Sequence, residues 1–584
     1  MCGIIGYIGE KKASRIVFEG LKHLQYRGYD SVGIATVSNS KIFVKKDEGK
    51  IDEVNERLNF FDLEGNLAIG HTRWATHGKV SRENAHPHLD CQGKIAIVHN
   101  GIIENFLSLR ESLEAKGHKF KSETDSEVVA HLIEEFMKEF EFEEACKRAF
   151  SNLEGSFAIL AIFSEKEEIV GIRKDSPLVV GLNENEAFVS SDIYALLPYT
   201  ENFIFLQNYD FVILGQKFAK IENLFEGKVE RPLEKISVEF ENKGKENFHH
   251  FMIKEILEQA DIFERAFKQE EEKIEKLVEE LKSCKKIFLV GAGTSFHASL
   301  AFSLLLAKAS IFSLPIIASE FKNYENLLDE NSLLIAISQS GETADVLEAV
   351  RIAKKKGAKV FSIVNVYGSS LARESDEFML MKAGFEVGVA ATKTYTAELA
   401  IALKIYSKIC GTKINPIEIK AKILDLLSRS RREFIQRIAE KIKDKKSVFL
   451  IGRGLEQVTA LEAALKIKEI SYIHAEAFPG GELKHGTLAL IEKDVPCFVF
   501  VSKERKEEIL SNAYEVKARG GFIIGVASKK EEIFDFWIKT PEAREEENLV
   551  LQIIPMQLLA YETAVLRNCD PDKPRNLSKS VTVK

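Results

Sequence analysis

Uninterrupted apolar runs are short throughout the 584 residues. None reaches the roughly 18 residues a membrane span needs, so no membrane association is expected. The start lacks a basic segment followed by an apolar one, so no signal peptide is expected. Cysteine is sparse: Cys2, Cys91, Cys146, Cys284, Cys410, Cys497 and Cys569 are odd in number, scattered and free of CxxC spacing. This excludes a disulfide frame, predicts no zinc site or other metal, and fits reduced thiols in a cytoplasm. Excess positive charge is also missing. A net charge of −8 leaves no basic field for nucleic acid.

What remains is a composition of 45% hydrophobic and 29% charged residues, ordinary for a folded chain. The length exceeds one core and predicts several domains. Residues 2–238 read as short strands and turns with a few helices, for example Lys94-Ile95-Ala96-Ile97-Val98 and Ser156 to Phe163. Strands so closely spaced favour packed antiparallel sheets. The polar stretch Glu239 to Asn247 reads as a linker, and about Met252 to Leu281 as one long amphipathic helical region, so 239–280 is taken as linker and connecting helix. From about 285 apolar strands alternate with helices. Lys286 to Val290 leads into Gly291-Ala292-Gly293-Thr294-Ser295, and Ser447 to Ile451 into Gly452-Arg453-Gly454. This internal duplication predicts two doubly wound parallel-sheet lobes, 281–415 and 440–570, followed by a tail, 571–584.

Cys2 is the first candidate for chemistry. With Met1 removed it would carry a thiol beside an α-amine that titrates near ~7.7–8.0, a self-contained nucleophile and base. Three segments supply what glutamine hydrolysis needs besides a nucleophile. Arg73 in His71-Thr72-Arg73-Trp74-Ala75-Thr76-His77-Gly78 can fork onto an α-carboxylate. Asn100 and the Gly101 N–H, in His99-Asn100-Gly101-Ile102-Ile103-Glu104-Asn105, can meet an oxyanion. Asp125 can pair with an α-ammonium. Each has a blander alternative: Asn-Gly is a common tight turn, and Thr124-Asp125-Ser126-Glu127 fits a capping box with Asp125 in the first helical turn.

In the second half, Ser338-Gln339-Ser340-Gly341-Glu342-Thr343 ends a strand and opens a helix, where hydroxyls, backbone N–H groups and the helix N-terminus suit a phosphate. Lys is absent there, against a nucleoside triphosphate loop, and Gly291 to Ser295 lacks the full GxGxxG spacing of dinucleotide sites. Glu462, Lys466 and Glu469 recur at i, i+4 and i+7, on one helix face, ahead of Glu482-Leu483-Lys484-His485-Gly486. A carboxylate and a histidine near a phosphosugar loop suit proton transfer, and the alternative is a solvated charge stripe. Lys579 could form a Schiff base with a ketose carbonyl if the tail folds over the site.

The segments Cys2-Gly3-Ile4, Tyr26-Arg27-Gly28-Tyr29-Asp30-Ser31, His71 to Gly78, Asn84-Ala85-His86-Pro87-His88 and His99 to Asn105 resemble the N-terminal-nucleophile glutaminase domain of class II amidotransferases. The resemblance implies a four-layer αββα sandwich, Cys2 as thioester-forming nucleophile, His77 assisting around the glutamine and Trp74 closing over an ammonia path. Residues 285–584 resemble paired sugar isomerase domains. The combined order, with the tail Asn576-Leu577-Ser578-Lys579-Ser580-Val581-Thr582-Val583, resembles the isomerising glutamine:fructose-6-phosphate aminotransferases. That family implies L-glutamine and fructose 6-phosphate as partners, no cofactor, and a homodimer sharing its sugar site. It also implies phosphate binding by Ser338, Gln339, Ser340 and Thr343, with Thr294 and Ser295 near the sugar. Ring opening would fall to His485 of a neighbouring subunit, imine formation to Lys579, C1-to-C2 proton transfer to Glu469, and electrostatic support to Lys466. Ala292, where relatives often have Cys, and the terminal Lys584, where they commonly have Glu, depart from the pattern. A phosphosugar-binding regulator without turnover is the alternative, but would need neither Cys2 nor Lys579. An amidotransferase for another acceptor would need a phosphoribosyl or adenylating motif, and none is found.

Overall fold

The computed structural model describes residues 2–75, 77–236 and 244–582. They form two compact units, one of residues up to 236 with 580–582, the other of 244–579.

The first unit contains two antiparallel sheets. Strand Gly3–Ile8 lies between Ala187–Ser190 and Leu67–Arg73 in an eight-stranded sheet. Strand Ile95–Ile103 lies between His88–Leu89 and Gly155–Phe163 in a seven-stranded one. Side-chain alternation sorts each strand's residues between two cores. Ile4 and Ile8 pack with Val98 and Leu160 between the sheets. Ile5 and Tyr7 face helix Ala13–Leu24, while Ile97 and Ile159 face helices Glu127–Phe136 and Phe142–Ser151. The αββα sandwich follows.

The second unit holds two five-stranded parallel sheets. The first runs Leu314–Ile317, Lys286–Gly291, Ser332–Ser338, Lys359–Val364, Glu377–Leu380; the second runs His474–Pro479, Ser447–Gly452, Pro496–Phe500, Phe522–Ala527, Phe536–Lys539. Helices Thr294–Lys308, Lys393–Cys410, Leu455–Ser471 and Ile553–Leu566 bury their apolar faces in one core common to both lobes.

One sequence expectation is corrected, and one helix passes a length test that no uninterrupted apolar run met. The helical region from Met252 to Leu281 is two helices, Phe251–Phe267 and Glu271–Ser283, because the chain leaves the helix at Lys268 (φ −85°, ψ 64°). The 545–566 stretch is long and apolar enough to cross a membrane by length and composition, although Asn548, Gln552 and Gln557 hide it from a count of uninterrupted runs. In this structure it is a core element, with 83% of its apolar window buried. Gln557 finds a buried partner in Gln259 at 2.7 Å, which removes the cost of enclosing an amide.

Candidate active sites

In the first unit, Cys2 precedes strand Gly3–Ile8, and Trp74 follows the paired strand Leu67–Arg73. The two therefore meet at adjoining strand ends: Trp74 N–H donates to Cys2 Sγ at 3.3 Å. Gly3 leaves room here, since a Cβ would lie 2.7 Å from Leu24 Cβ and Thr72 Oγ1. Burial pushes the Cys2 thiol up, so the site needs a base to generate thiolate at neutral pH. The Arg27-to-Asp30 turn braces the Arg73–Trp74 segment. A Cβ on Gly28 would come within 2.7 Å of Arg73 C and Trp74 N, and Asp30 Oδ2 accepts the Ala75 N–H at 2.8 Å.

Asn100 and Gly101 lie on Ile95–Ile103, and Asn100 Nδ2 donates to Cys2 O at 2.9 Å. Gly101 has φ +125°, and a Cβ there would stand 2.0 Å from Ser156 O, so only glycine fits. The same strand holds Asp125, whose Oδ2 accepts the Ile103 N–H at 2.8 Å. Arg73 is 3% exposed and donates to the carbonyls of His77, Lys79 (3.3 Å) and Gly78 (3.4 Å). His77 lies edge-on to Phe106, with ring centroids 5.6 Å apart. Cys2, Trp74 and Asn100 are thus directly linked, and Asp125 is tied to the strand that carries Asn100.

The capping-box alternative fails. The helix begins at Glu127 with Ser126 as its N-cap, and no side-chain cap bond forms. Thr124 Oγ1 is instead engaged by Ser122 and His88, and Asp125 precedes the helix. Sequence reasoning also missed the support beneath this site. Arg27 and Asp192 form a buried ion pair at 2.5 Å. His71, His86, His88 and His99 form a buried cluster, with His71 stacked on His86 at 4.0 Å. Burial holds the His71 imidazole down to about 3 and the other three below their usual value, so all are neutral at pH 7. As neutral rings they act as hydrogen-bonding props: His71 Nε2 donates to His99 O at 2.9 Å, and His99 Nδ1 lies 2.8 Å from Ser126 Oγ. The sequence signal was present, four histidines among the quoted motifs, but neutrality depends on burial.

In the second unit the Ser338–Thr343 loop curls on itself. Gly341 adopts φ +65° and its N–H donates to Ser338 Oγ at 3.1 Å; Ser338 Oγ lies 3.3 Å from Thr343 Oγ1. Ser340 Oγ accepts the Glu342 N–H at 3.2 Å, and Gln339 O accepts the Asn365 N–H at 3.2 Å. Thr343 caps helix Ala344–Lys355 positionally, leaving the helix's positive end beside these hydroxyls.

The other loop joins the two lobes. Thr294 Oγ1 donates to Glu462 Oε1 and accepts from Lys466 Nζ, both at 3.0 Å. His297 Nδ1 lies 2.7 Å from Glu462 Oε2, and Ser295 Oγ donates to Glu398 Oε1 at 2.7 Å. Burial and the neighbouring Glu462 and Glu386 push Glu398 up to about 8. Lys466 Nζ is 2.5 Å from Glu469 Oε2 and 3.4 Å from Glu462 Oε1. Burial opposes its charge, yet the two carboxylates hold this ammonium above its ordinary value. Glu462 and Lys466 are fully buried, while the Glu469 side chain is 21% exposed and open to a ligand.

Lys579 is anchored. Its Nζ is 2.5 Å from Glu386 Oε2 and donates to Gly388 O at 2.8 Å, with its side chain 2% exposed. Glu386 itself accepts from Thr394 Oγ1 at 2.7 Å and Thr392 N–H at 2.9 Å. Burial works against the Glu386 charge, but Lys579 and these donors hold its carboxyl well below the usual range. Glu386 was not singled out from sequence; its partner lies 193 residues away. His485 ends a 3-10 turn, Gly480–His485, and is exposed.

Fold and sites together define a glutamine amidotransferase with a duplicated sugar isomerase module. Residues 71–198 match the family described as a glutamine amidotransferase domain; residues 280–406 and again 441–567 match the SIS domain. The glutamine–fructose-6-phosphate aminotransferases (isomerizing) of Thermococcus kodakarensis and Pyrococcus horikoshii are each 46% identical, over 603 and 599 residues and 100% of both chains. The C-terminal domain of glucosamine-fructose-6-phosphate aminotransferase from Francisella tularensis is 33% identical, with a TM-score of 0.51, over 57% of this chain and 100% of that one. The chain belongs to the isomerising glutamine–fructose-6-phosphate aminotransferase family.

Proposed function

We propose that the chain hydrolyses L-glutamine at Cys2 and uses the released ammonia to aminate fructose 6-phosphate, which it isomerises to glucosamine 6-phosphate. The observation that carries the reading is the conjunction of two sites in one chain. One is a half-buried thiol met by the Trp74 N–H, on a residue whose carbonyl accepts from Asn100; the other is the Glu462–Lys466–Glu469 row facing a hydroxyl-rich loop across the lobes. Neither is needed by a binding-only regulator.

At Cys2, the thiolate adds to the side-chain amide carbon of glutamine. The α-amine freed by removal of Met1 takes the thiol proton and returns it to the leaving nitrogen as ammonia departs. Asn100 Nδ2 and the Gly101 N–H receive the oxyanion, a contact whose loss costs about 10²–10³ in rate. Arg73 grips the α-carboxylate, Asp125 the α-ammonium, and His77 assists beside them. Water then cleaves the thioester to glutamate. Trp74 closes over the ammonia, which travels inside the protein because protonation in bulk water would end its nucleophilicity.

At the sugar site, Ser338, Gln339, Ser340 and Thr343 hold the phosphate, with Thr294 and Ser295 near the sugar. His485, supplied by a second copy in a homodimer, protonates the ring oxygen as the ring opens. Its exposure supports that assignment. The Lys579 ammonium gives up a proton to water, and the free amine adds to the C2 carbonyl and expels water as an imine forms. Ammonia displaces lysine from C2. Glu469 then moves a proton from C1 to C2, and Lys466 steadies the charge that builds beside it. Oxidation at C1 balances reduction at C2, so no redox cofactor is required. A cytoplasmic setting fits this chemistry and the free thiols.

The test supplies amide-¹⁵N glutamine, fructose 6-phosphate and excess unlabelled ammonium, and weighs the aminosugar. Product carrying mostly ¹⁵N is expected. Unlabelled product would refute internal transfer, and absence of aminosugar with fructose 6-phosphate still bound would favour the regulator.

A further inference from the structure

Away from both sites, three segments of the first unit bring four donor side chains together. Cys91 lies in the turn between strands His88–Leu89 and Ile95–Ile103. His118 follows helix Phe106–Ala115, and His131 and Glu134 occupy one face of helix Glu127–Phe136. Their ligand atoms all lie within 4.8 Å of one another.

We propose that Cys91, His118, His131 and Glu134 form a binding site for one divalent transition-metal ion, zinc being the ion this donor set suits. Four of the six ligand–ligand distances are close to those of a tetrahedron around an ion, and the remainder lie within 4.8 Å. With metal–sulfur and metal–nitrogen bonds of about 2.3 and 2.05 Å, tetrahedral ligands stand about 3.6 Å apart for S···N and about 3.3 Å for N···N or N···O. Here Cys91 Sγ is 3.7 Å from His118 Nδ1 and 3.5 Å from His131 Nδ1. Glu134 Oε2 is 3.0 Å from His118 Nδ1 and 3.3 Å from His131 Nδ1.

The second observation is how the imidazoles are held. Both turn Nδ1 inward to the same thiol and the same carboxylate oxygen, and both turn Nε2 outward to a further carboxylate. His118 Nε2 lies 3.0 Å from Glu135 Oε2, and His131 Nε2 lies 3.6 Å from Glu127 Oε1. A carboxylate at hydrogen-bond distance behind a ligating histidine, as Glu135 stands behind His118, fixes the tautomer and strengthens the metal bond, while Glu127 faces His131 at ion-pair distance. The Lys119 N–H points at Cys91 Sγ at 3.5 Å, and the Cys91 N–H at Glu134 Oε2 at 3.1 Å, as suits anionic ligands. A doubly charged cation would offset the Cys91 thiolate and Glu134 carboxylate. His118 and His131 are 8% and 1% exposed, so the imidazole side of the site is enclosed.

Four protein ligands leave no open position, so the role is structural. The ion would tie the turn leading into Ile95–Ile103, the strand of Asn100 and Gly101, to the helix that follows Asp125. It would thus brace both sides of the glutamine pocket. No CxxC marks such a site, because the four ligands are contributed by separate turns and one helix.

The full-length chain, prepared without an immobilised-metal column, is incubated with Zn²⁺, desalted and assayed by elemental mass spectrometry. About one zinc per chain is expected. Co²⁺ loading should give tetrahedral d–d bands and a thiolate charge-transfer band that Cys91→Ser loses and Cys2→Ala keeps. Glu135→Gln, which leaves all four ligands in place, should weaken zinc about 10–100-fold in competition with a chromophoric chelator; it carries the test if Cys91→Ser does not fold. Wild-type protein that retains no zinc, or Cys91→Ser and Glu135→Gln variants that bind zinc as wild type does, would overturn the proposal.

Discussion

The two lobes of the second unit share a plan and differ in the side chains they carry on it. Both use parallel strand order with the Gly-x-Gly strand second, and both bend into the following helix in the same way: Gly293 has φ 54°, ψ −125° and Gly454 φ 62°, ψ −126°. The preceding glycines serve the same end, since a Cβ on Gly291 would strike Ser295 C and O at 2.6 Å, and one on Gly452 would strike Glu456 O at 2.3 Å. The next strand–helix turn separates them. The first lobe has Ser338 to Thr343; the second has Val501-Ser502-Lys503-Glu504-Arg505. Beside Gly454 lies a cavity of about 550 Å³, lined by Glu504, Glu508 and Glu545 with Arg505 and Lys308, and Lys308 pairs with Glu545 at 2.5 Å. The second lobe instead carries Glu462, Lys466 and Glu469 on its Gly-x-Gly helix. Duplication thus preserved the scaffold, while the hydroxyl-rich loop and the Glu462–Lys466–Glu469 row stand in opposite copies; on the function proposed above, this separates binding from proton transfer.

If that division holds, the largest effect follows from the second lobe. Glu469→Gln should lower kcat for aminosugar formation by about 10²–10⁴, the span of a lost general base, with the KM for fructose 6-phosphate changed less than about threefold. Steady-state kinetics decides it. A rise in KM with kcat intact would make Glu469 a binding residue and undo the division.

How much of this was legible depends on distance along the chain. Cys2, Arg73 and Asn100 sit in motifs whose residue types state their chemistry, and the strand, Gly-x-Gly, helix repeat announced both lobes. The Glu462–Lys466–Glu469 row followed from helical spacing alone. Glu386, Glu398 and Asp192 did not, because each gains meaning only from a partner brought up by tertiary folding. The failed cap at Thr124 is a case where a tertiary partner, His88, overrode local propensity.

The next effect tests whether Lys579 belongs to this frame. Glu386→Gln leaves a buried ammonium without its counter-charge, at a cost of about 3–5 kcal/mol. The sign is fixed by Glu386, whose folded value is depressed. The pair's contribution is full above the unfolded glutamate value near ~4.3 and fades as pH falls below it. Melting temperatures of wild type and variant should therefore differ steadily at pH 6–8 and converge in acid. Equal melting at pH 7 would mean that the pair does not anchor the tail.

The glycines probe the shared scaffold more gently. Gly293→Ala and Gly454→Ala each place a side chain where φ is positive and should cost about 1–3 kcal/mol in denaturant unfolding. Comparable losses would sharpen the pairing of the two turns. A loss in only one would break it.

An effect close in size to that of the glycines belongs to the Ser338–Thr343 loop. Thr343→Val keeps the shape of the residue and removes one hydroxyl, 3.3 Å from Ser338 Oγ, at the N-terminus of Ala344–Lys355. A hydrogen bond to a charged group contributes about 1.5–3 kcal/mol, so the KM for fructose 6-phosphate should rise roughly tenfold or more while kcat stays near wild type. Titration calorimetry should also give about one phosphosugar per chain, because the matching turn of the other lobe, Val501 to Arg505, lacks the hydroxyl run of Ser338 to Thr343. Two bound phosphosugars, or a Thr343→Val variant that loses kcat and keeps KM, would mean that the lobes had not divided binding from proton transfer.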